Sequence, residues 1–271
     1  MMRVRSALFV PGDRPERLPK ALASGADAVI VDLEDAVEPG AKDAARAAVA
    51  GSLRGCGDRS VVVRVNAVQT IYFDEDIALC AGSPAVAAVM LPKAESAADV
   101  VRAAASGRPV WPLVESARGV LALEAIAGAP AVGRLVFGSL DFALDLDLDP
   151  LSTAGRAVLD DARHRMLLHA RAADLPAPLD GVHPQLDDID GLRAEAARAR
   201  AAGMGGMLCV HPMQVAAINE VFSPSAAELA WARRVVEAAA GQRGAFRLDG
   251  RMVDAPVLAK ARRTVEAAGG A

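Results

Sequence analysis

The chain has 271 residues, of which 53% are hydrophobic and 24% charged, and its formal net charge is −4. This length and composition predict a globular protein with a substantial core, either one large domain or one domain with an appendage. The slightly acidic charge and the scattered basic residues give no electrostatic reason to expect nucleic-acid binding. The N-terminal apolar run is too short for a secretory signal, and no stretch approaches the roughly 20 apolar residues of a membrane span. We therefore expect no membrane association.

The three cysteines have no paired spacing. They are Cys56, Cys80 and Cys209. Cys209 lies inside an apolar run, which favours a small core residue. An incomplete disulfide set is typical of a reducing compartment, and we expect a cytoplasmic protein.

Strand-like and helix-like segments alternate along the first 222 residues. Eight apolar segments predict strands: Ser6–Pro11, Ala28–Leu33, Val61–Asn66, Val86–Pro92, Val110–Glu115, Leu135–Asp141, Pro178–Val182 and Gly206–His211. Segments with helical periodicity lie between them, namely Lys42–Val49, Ala97–Ala105, Gly119–Ala127, Asp160–Ala173 and Leu192–Ala202. This alternation predicts a parallel sheet, and eight repeats suit a (β/α)₈ TIM barrel over residues 1–222. The rival is a doubly wound open sheet, but the glycine-rich G-x-G-x-x-G turn typical of that fold is absent from the sequence.

The last segment, residues 223–271, exceeds what a barrel needs. A helix is predicted over Ser225–Ala240, with a capping box at Ser225 and Glu228. An Asp249-Gly250 turn predicts a hairpin, and a closing helix follows over about Pro256–Ala268. We expect this helix–hairpin–helix extension to dock on a neighbouring subunit.

Two carboxylates close successive apolar segments of the predicted barrel. Glu115 ends one segment and Asp141 ends the next. In a parallel barrel both would emerge at the rim where catalytic residues gather. Two carboxylates suit one hard cation such as Mg²⁺ and leave roughly four of its six octahedral positions for water and substrate. A cation held in this way can stabilise an enolate. The alternative for either residue is a helix N-cap or a surface ion pair.

Motifs along nearly the whole chain are similar, in order, to those of one known family. They are Arg5–Arg17, Ala26–Val37 with Lys42 and Arg46, Val63–Asn66, Met90–Glu95, Leu113–Gly119, Gly138–Asp141, His211–Gln214 and Gly250–Pro256. The chain thereby resembles the citrate lyase β-subunit-like proteins of the HpcH/HpaI aldolase/citrate lyase family. The resemblance implies a barrel of the phosphoenolpyruvate/pyruvate superfamily type, usually assembled as trimers or hexamers.

The resemblance also implies an activity. It is that of a Mg²⁺-dependent carbon–carbon lyase, with Mn²⁺ as a possible substitute, acting on a short β-hydroxy acyl-CoA such as citryl-, malyl- or citramalyl-CoA. Coenzyme A would then be part of the substrate. Three alternatives remain: an aldolase on free hydroxy-keto acids, a thioesterase, and a non-catalytic binding or assembly subunit. A complete citrate lyase complex would also need transferase and acyl-carrier partner subunits.

The same resemblance assigns roles to single residues. Glu115 and Asp141 match the Mg²⁺ ligands, with Glu115 also next to the substrate. Arg64 matches an arginine that binds the substrate carboxylate; the alternative is a surface arginine on an edge strand. Asp254 matches an acid/base group that enters a neighbouring subunit's site; spacing alone predicts a helix N-cap.

Three acidic residues lie at the end of the second predicted strand, in the run Asp32-Leu-Glu-Asp35. We predict that Glu34 and Asp35 position Arg64 or a water molecule on the metal, and the alternative is a solvated loop. Lys42, Arg14 and Arg17 are the expected partners of these carboxylates.

Lys93 raises a rival mechanism, because a lysine at a barrel rim can form a Schiff base. The metal-dependent chemistry of the family favours an electrostatic or structural role instead. We assign no zinc to the histidines, and the resemblance makes His211-Pro-Met-Gln214 a rim-packing element. The aspartate-rich segment after Asp141 departs from the family, which often has a basic, glycine-containing loop there on the thioester side.

Overall fold

The computed structural model describes residues 3–57, 59–242 and 244–269. The chain forms two compact units, the first up to Asn219 and the second from Glu220. This division falls three residues before the predicted boundary between residues 222 and 223.

The barrel has eight parallel strands. They are β1 (Ser6–Pro11), β2 (Ala28–Asp32), β3 (Val61–Arg64), β4 (Val86–Leu91), β5 (Val110–Val114), β6 (Val136–Phe137), β7 (Leu179–Asp180) and β8 (Gly206–Cys209). Each strand pairs with the next in the chain, and β8 pairs with β1, so the sheet closes on itself. The predicted (β/α)₈ barrel is confirmed.

Among the described residues, α-helices lie between the strands and after the last one. They are α1 (Leu18–Leu22), α2 (Lys42–Arg54), α3 (Phe73–Gly82), α4 (Ala97–Ala104), α5 (Ala117–Leu121), α6 (Leu123–Ala127), α7 (Ser139–Asp145), α8 (Thr153–Ala172), α9 (Ile189–Ala202) and α10 (Pro212–Phe222). The single helix predicted over Gly119–Ala127 is wrong. It is two short helices, because Ala122 has a ψ of 7° and interrupts the regular turn.

Alternating strand residues fill the interior of the barrel. On β2 these are Ala28 and Ile30, and on β4 they are Ala88 and Met90, all in one buried cluster. Side chains two residues apart point to the same face of a strand. The alternation of small and large residues therefore fits neighbouring strands into layers, as in other TIM barrels.

Asp141 does not end a strand, which corrects the prediction for Leu135–Asp141. Strand β6 covers only two residues, and Asp141 lies in the first turn of α7. Gly138 makes the change of direction between the two elements. An acidic side chain in the first helical turn is favourable, because the N-terminal end of a helix carries partial positive charge.

The second unit is a helix, a hairpin and a helix, as predicted. Its elements are α11 (Ala226–Ala239), β9 (Phe246–Leu248), β10 (Arg251–Val253) and α12 (Ala255–Gly269). The capping box of Ser225 and Glu228 is present. Asp249 and Gly250 both have a positive φ, which suits the tight turn between β9 and β10. This unit has a small core of its own, made by residues such as Val235 and Val253.

None of the helices in the described ranges is long and apolar enough to cross a bilayer.

Candidate active site

A cavity of about 420 Å³ lies at the carboxyl-terminal ends of the barrel strands. Its charged lining residues are Asp32, Asp35, Arg64, Glu115 and Asp141. A larger groove of about 700 Å³ lies beside α2 and α3, near the starts of β3 and β4, and its described lining residues include no carboxylate. We place the chemistry in the smaller cavity, because charged groups converge there at the rim that carries active sites in TIM barrels.

Arg64 is the only cationic side chain that lines the cavity among the described residues. The β2–β3 register places Asp32 opposite Arg64. The Asp32 carboxylate accepts hydrogen bonds from Nε (2.7 Å) and Nη2 (2.6 Å), and the guanidinium lies 4.8 Å from the Phe9 ring centroid. Burial alone would lower the pKa of Arg64, but hydrogen bonding and charge from Asp32 raise it, so the side chain stays cationic.

The guanidinium keeps donors for a substrate. It has five N–H groups, and Asp32 engages two of them. Glu34 and Asp35 approach the same nitrogen, Nη1, at 3.0 and 3.5 Å. At least one N–H of Nη2 is therefore not engaged by these three carboxylates, and Arg64 lines the cavity. The exposed-arginine alternative is wrong, because Arg64 is only 9% exposed.

Glu34 is a buried carboxylate between two cations. One oxygen pairs with Arg64 and the other with the Lys93 ammonium at 3.3 Å. Neither oxygen has a hydrogen bond of good geometry. Burial raises the pKa of Glu34 to about 7, and the charge of Arg64 opposes this rise.

The partners predicted for the carboxylates of the Asp32-Leu-Glu-Asp35 run were wrong. The carboxylates pair with Arg64 and Lys93. The Lys42 ammonium instead donates to the backbone oxygens of Leu33 and Glu34. The missed signal was the strand register, since Asp32 and Arg64 are 32 residues apart in the sequence.

Glu115 follows β5 and is only 4% exposed. Its Oε1 accepts the backbone N–H of Lys93 at 2.7 Å. Burial, together with the nearby charges of Glu34 and Asp141, raises the pKa of Glu115 to about 8. Gly138 leaves the room that this carboxylate needs, because a Cβ there would lie 2.6 Å from Oε2.

These residues fit a divalent cation. Glu115 and Asp141 line one cavity and repel each other, and a hard cation between two carboxylates would remove that repulsion. Among the described residues no group of three or more potential ligands is arranged to hold a metal. A pair of carboxylates is smaller than such a group and leaves coordination positions for substrate oxygens.

Lys93 does not look like a Schiff-base lysine. Its side chain is about half exposed and pairs with Glu34. Burial acts to lower its pKa, but the Glu34 charge outweighs burial and raises it. A Schiff-base lysine needs the neutral amine, which a raised pKa disfavours.

The His211-Pro-Met-Gln214 motif packs at the rim, as the resemblance implied. The Gln214 side chain accepts the backbone N–H of Val210 at 2.9 Å and donates to the backbone oxygen of His183 at 2.8 Å. The motif thereby joins the ends of β7 and β8.

Asp254 lies in the second unit, just before α12. Its carboxylate accepts the backbone N–H of Val257 at 3.2 Å, so the predicted N-cap is confirmed. Its role in the site of a neighbouring subunit stays a prediction.

The barrel and its rim of acidic side chains around one buried arginine define a metal-dependent TIM-barrel enzyme. The HpcH/HpaI aldolase/citrate lyase profile matches residues 5–212. A citrate lyase subunit beta-like protein of Mycobacterium tuberculosis is 43% identical, over 99% of this chain and 98% of its own. A (3S)-malyl-CoA thioesterase of Cereibacter sphaeroides is 37% identical, over 96% and 93%.

A solved structure is also closely similar. The CitE protein of Mycobacterium tuberculosis, in complex with magnesium, acetoacetate and coenzyme A, has a TM-score of 0.86 and 40% identity, covering 98% of both chains. A citrate lyase beta subunit from the same organism, with oxaloacetate and magnesium, has a TM-score of 0.73 and 37% identity, covering 82% of this chain and 98% of its own. The chain belongs to the HpcH/HpaI aldolase/citrate lyase family and is a lyase.

Proposed function

We propose that this protein cleaves or forms a short β-hydroxy acyl-CoA, with citryl-, malyl- and citramalyl-CoA as the first candidates. The observation that carries the proposal is the convergence of Arg64, Glu115 and Asp141 on one cavity. Similar proteins support it, since one is named L-malyl-CoA/beta-methylmalyl-CoA lyase and is 33% identical over 92% of this chain. The relative that binds acetoacetate and coenzyme A adds acetoacetate as a candidate product.

Each residue has a distinct task in this proposal. Glu115 and Asp141 hold Mg²⁺, which when bound supplies positive charge to the oxygens of the oxo acid. Arg64 binds the carboxylate of that acid through its remaining N–H groups. Glu34 and Asp35 keep the guanidinium in place through their ion pairs.

The bond that breaks joins the hydroxyl-bearing carbon to the carbon next to the thioester. The hydroxyl proton passes to a base, and the carbonyl of the oxo acid forms. The electron pair of the broken bond goes to the thioester enolate, which then takes a proton. We assign that proton to Asp254 of a neighbouring subunit, since a carboxyl group can act as a general acid.

Thioester hydrolysis is the second candidate activity. It is favoured by the 37% identity to the (3S)-malyl-CoA thioesterase. Hydrolysis of a newly formed product would make the enzyme look like a synthase or a thioesterase.

A trimer or hexamer is part of the proposal. An acid/base group on the second unit can serve another chain only in an oligomer. We also propose a cytoplasmic location, which the three free cysteines support.

A product screen by mass spectrometry tests the function. Citryl-, malyl- and citramalyl-CoA, and free hydroxy-keto acids for comparison, are each incubated with the protein, with and without Mg²⁺. For the reverse reaction, acetyl-CoA is offered with acetoacetate, pyruvate or glyoxylate. We expect Mg²⁺-dependent release of an oxo acid and acetyl-CoA. Free CoA without an oxo acid would indicate hydrolysis, and cleavage of free hydroxy-keto acids alone would indicate an aldolase.

A further inference from the structure

Lys93 has a backbone conformation that few lysines adopt. Its φ of 49° lies in the left-handed region, where the side chain of an L residue is crowded. Lys93 comes two residues after the end of β4, on the cavity rim. A strained residue at a functional site is a reason to ask what the strain holds in place.

The strained backbone aims an amide at Glu115. The Lys93 N–H donates to Oε1 at 2.7 Å, and the next amide, of Ala94, donates to the backbone oxygen of Leu113 at 3.2 Å. The turn after β4 is thus tied to the end of β5. A buried carboxylate held by a backbone donor has little freedom to rotate.

The side chain of Lys93 contacts Glu34, which in turn pairs with Arg64. Its ammonium lies 3.3 Å from Glu34 Oε1, while Glu34 Oε2 lies 3.0 Å from Arg64 Nη1. Glu34 is only 6% exposed, so water can do little to satisfy it. The ammonium therefore takes one of its two oxygens away from the guanidinium.

We propose that Lys93 is a positioning residue that joins the two parts of this site. Its amide orients Glu115, and its ammonium prevents Glu34 from engaging Arg64 with both oxygens. Without the ammonium, both oxygens of Glu34 turn to the guanidinium and occupy the N–H groups that the oxo acid needs. This inference rests on the proposed function, since it takes Glu115 as a metal ligand and Arg64 as the carboxylate-binding group.

Three substitutions separate the amide from the ammonium. Lys93→Gly removes the ammonium and tolerates a positive φ. Lys93→Val also removes the ammonium, but its β-branched side chain resists a positive φ and shifts the amide. Lys93→Arg keeps a cation. The matched control is Asp174→Val, which places the same side chain at an exposed residue with a φ of 55°, in the loop after α8.

Calorimetry measures the affinity of each variant for Mg²⁺ alone, and then its affinity for pyruvate at saturating Mg²⁺. We expect Lys93→Gly to bind Mg²⁺ normally and pyruvate about tenfold more weakly, because Glu34 then competes with the acid for the charged hydrogen bonds of the guanidinium. Lys93→Val should in addition lose about tenfold in Mg²⁺ affinity, because a β-branched residue that cannot keep the positive φ moves the amide and breaks its hydrogen bond to Glu115. Lys93→Arg should recover most of the pyruvate affinity. Asp174→Val should lower only the melting temperature.

Normal pyruvate affinity in Lys93→Gly, or normal Mg²⁺ affinity in Lys93→Val, would overturn the proposal. Weak Mg²⁺ binding by Lys93→Gly would also contradict it, because glycine retains the amide. Failure of the unmodified protein to bind either Mg²⁺ or pyruvate would instead refute the proposed function. Circular dichroism establishes that each variant is folded before it is titrated.

Discussion

Glu115 is a buried carboxylate that faces other carboxylates, and this decides its chemistry. Burial and the charges of Glu34 and Asp141 raise its pKa to about 8. In the metal-free protein most of this group is therefore protonated at neutral pH. A divalent cation binds the ionised carboxylate. Metal binding must therefore displace the proton from Glu115.

The first prediction is a pH dependence with a defined sign. Mg²⁺ affinity should rise with pH up to about 8, and Mg²⁺ binding at pH 7 should release close to one proton. The folding stability of the metal-free protein should instead fall as the pH rises. A carboxyl group with a raised folded-state pKa contributes stability that is present at low pH and is lost as the pH rises through that pKa. Calorimetry in buffers of different ionisation enthalpy measures the released proton, and a pH-independent affinity would contradict the assignment.

The second prediction concerns the metal ligands. Glu115→Gln and Asp141→Asn should each lower Mg²⁺ affinity severely, because each removes one of only two anionic ligands. Glu124→Gln, on the exposed side of α6, is the control and should bind Mg²⁺ normally. Isothermal titration calorimetry of the three variants measures their Mg²⁺ affinities. Normal affinity in both site variants would show that the metal lies elsewhere.

The third prediction concerns Arg64. Arg64→Lys should retain Mg²⁺ binding but bind pyruvate or oxaloacetate poorly. An ammonium cannot engage Asp32 through two nitrogens and also present an N–H to a substrate. Equilibrium binding of each acid at saturating Mg²⁺ measures the effect. If only thermal stability changes, Arg64 has a structural role.

The turns between neighbouring elements set the geometry of the site. The β2–β3 register aligns Asp32 with Arg64. Strand β6 ends after two residues, and the turn at Gly138 leads directly into the helix that carries Asp141. Glu115 and Asp141 are thereby brought to one cavity. Glycine is needed at position 138 because it lacks a side chain. Its backbone conformation is not the reason, since any residue can adopt a φ of −94°.

The fourth prediction tests this turn. A Cβ on residue 138 would lie 2.5 Å from the Glu115 Cβ and 2.6 Å from its Oε2. Gly138→Ala should therefore displace the carboxylate and weaken Mg²⁺ binding while the barrel still folds. Gly82→Ala is the control, because nothing lies within 4 Å of its added Cβ and it sits in α3. A titration that shows equal Mg²⁺ affinity in the two variants would contradict the steric argument.

At the scale of the whole molecule, the chain consists of a barrel and a separate unit of helix, hairpin and helix. The second unit buries its own small apolar cluster. Asp254 lies at the start of its last helix, where its carboxylate caps the backbone. This capping hydrogen bond engages one of its two carboxylate oxygens, Oδ1.

The fifth prediction is complementation between chains. Asp254→Asn should bind Mg²⁺ normally but turn over about 10²–10⁴-fold more slowly if Asp254 transfers a proton. Mixed oligomers of Asp254→Asn and Glu115→Gln chains should regain activity, because some of their sites contain both unmodified residues. Tagged chains and mass spectrometry verify that subunits have exchanged. Verified mixed oligomers without activity would mean that Asp254 serves its own chain or only caps α12.

The sequence by itself determined the barrel and the form of the extension. Both depend on local patterns, namely apolar strand segments, helical periodicity, the Ser225 capping box and the Asp249-Gly250 turn. Helices α1, α3, α7 and α10 were not among the predicted segments, and the ends of strands were predicted up to four residues too late, as at β6. The strand signal persists past the true end because the following loop is also buried, as Glu115 illustrates.

Only the tertiary structure decided how the site residues are paired. Asp32 meets Arg64 across a strand register, and Lys93 meets Glu115 and Glu34 across two loops. These contacts join residues that are 22 to 59 positions apart, which no local periodicity records. The residue types were therefore readable from the chain, while their partners depended on closing the sheet into a barrel, because only closure brings the ends of all eight strands around one cavity.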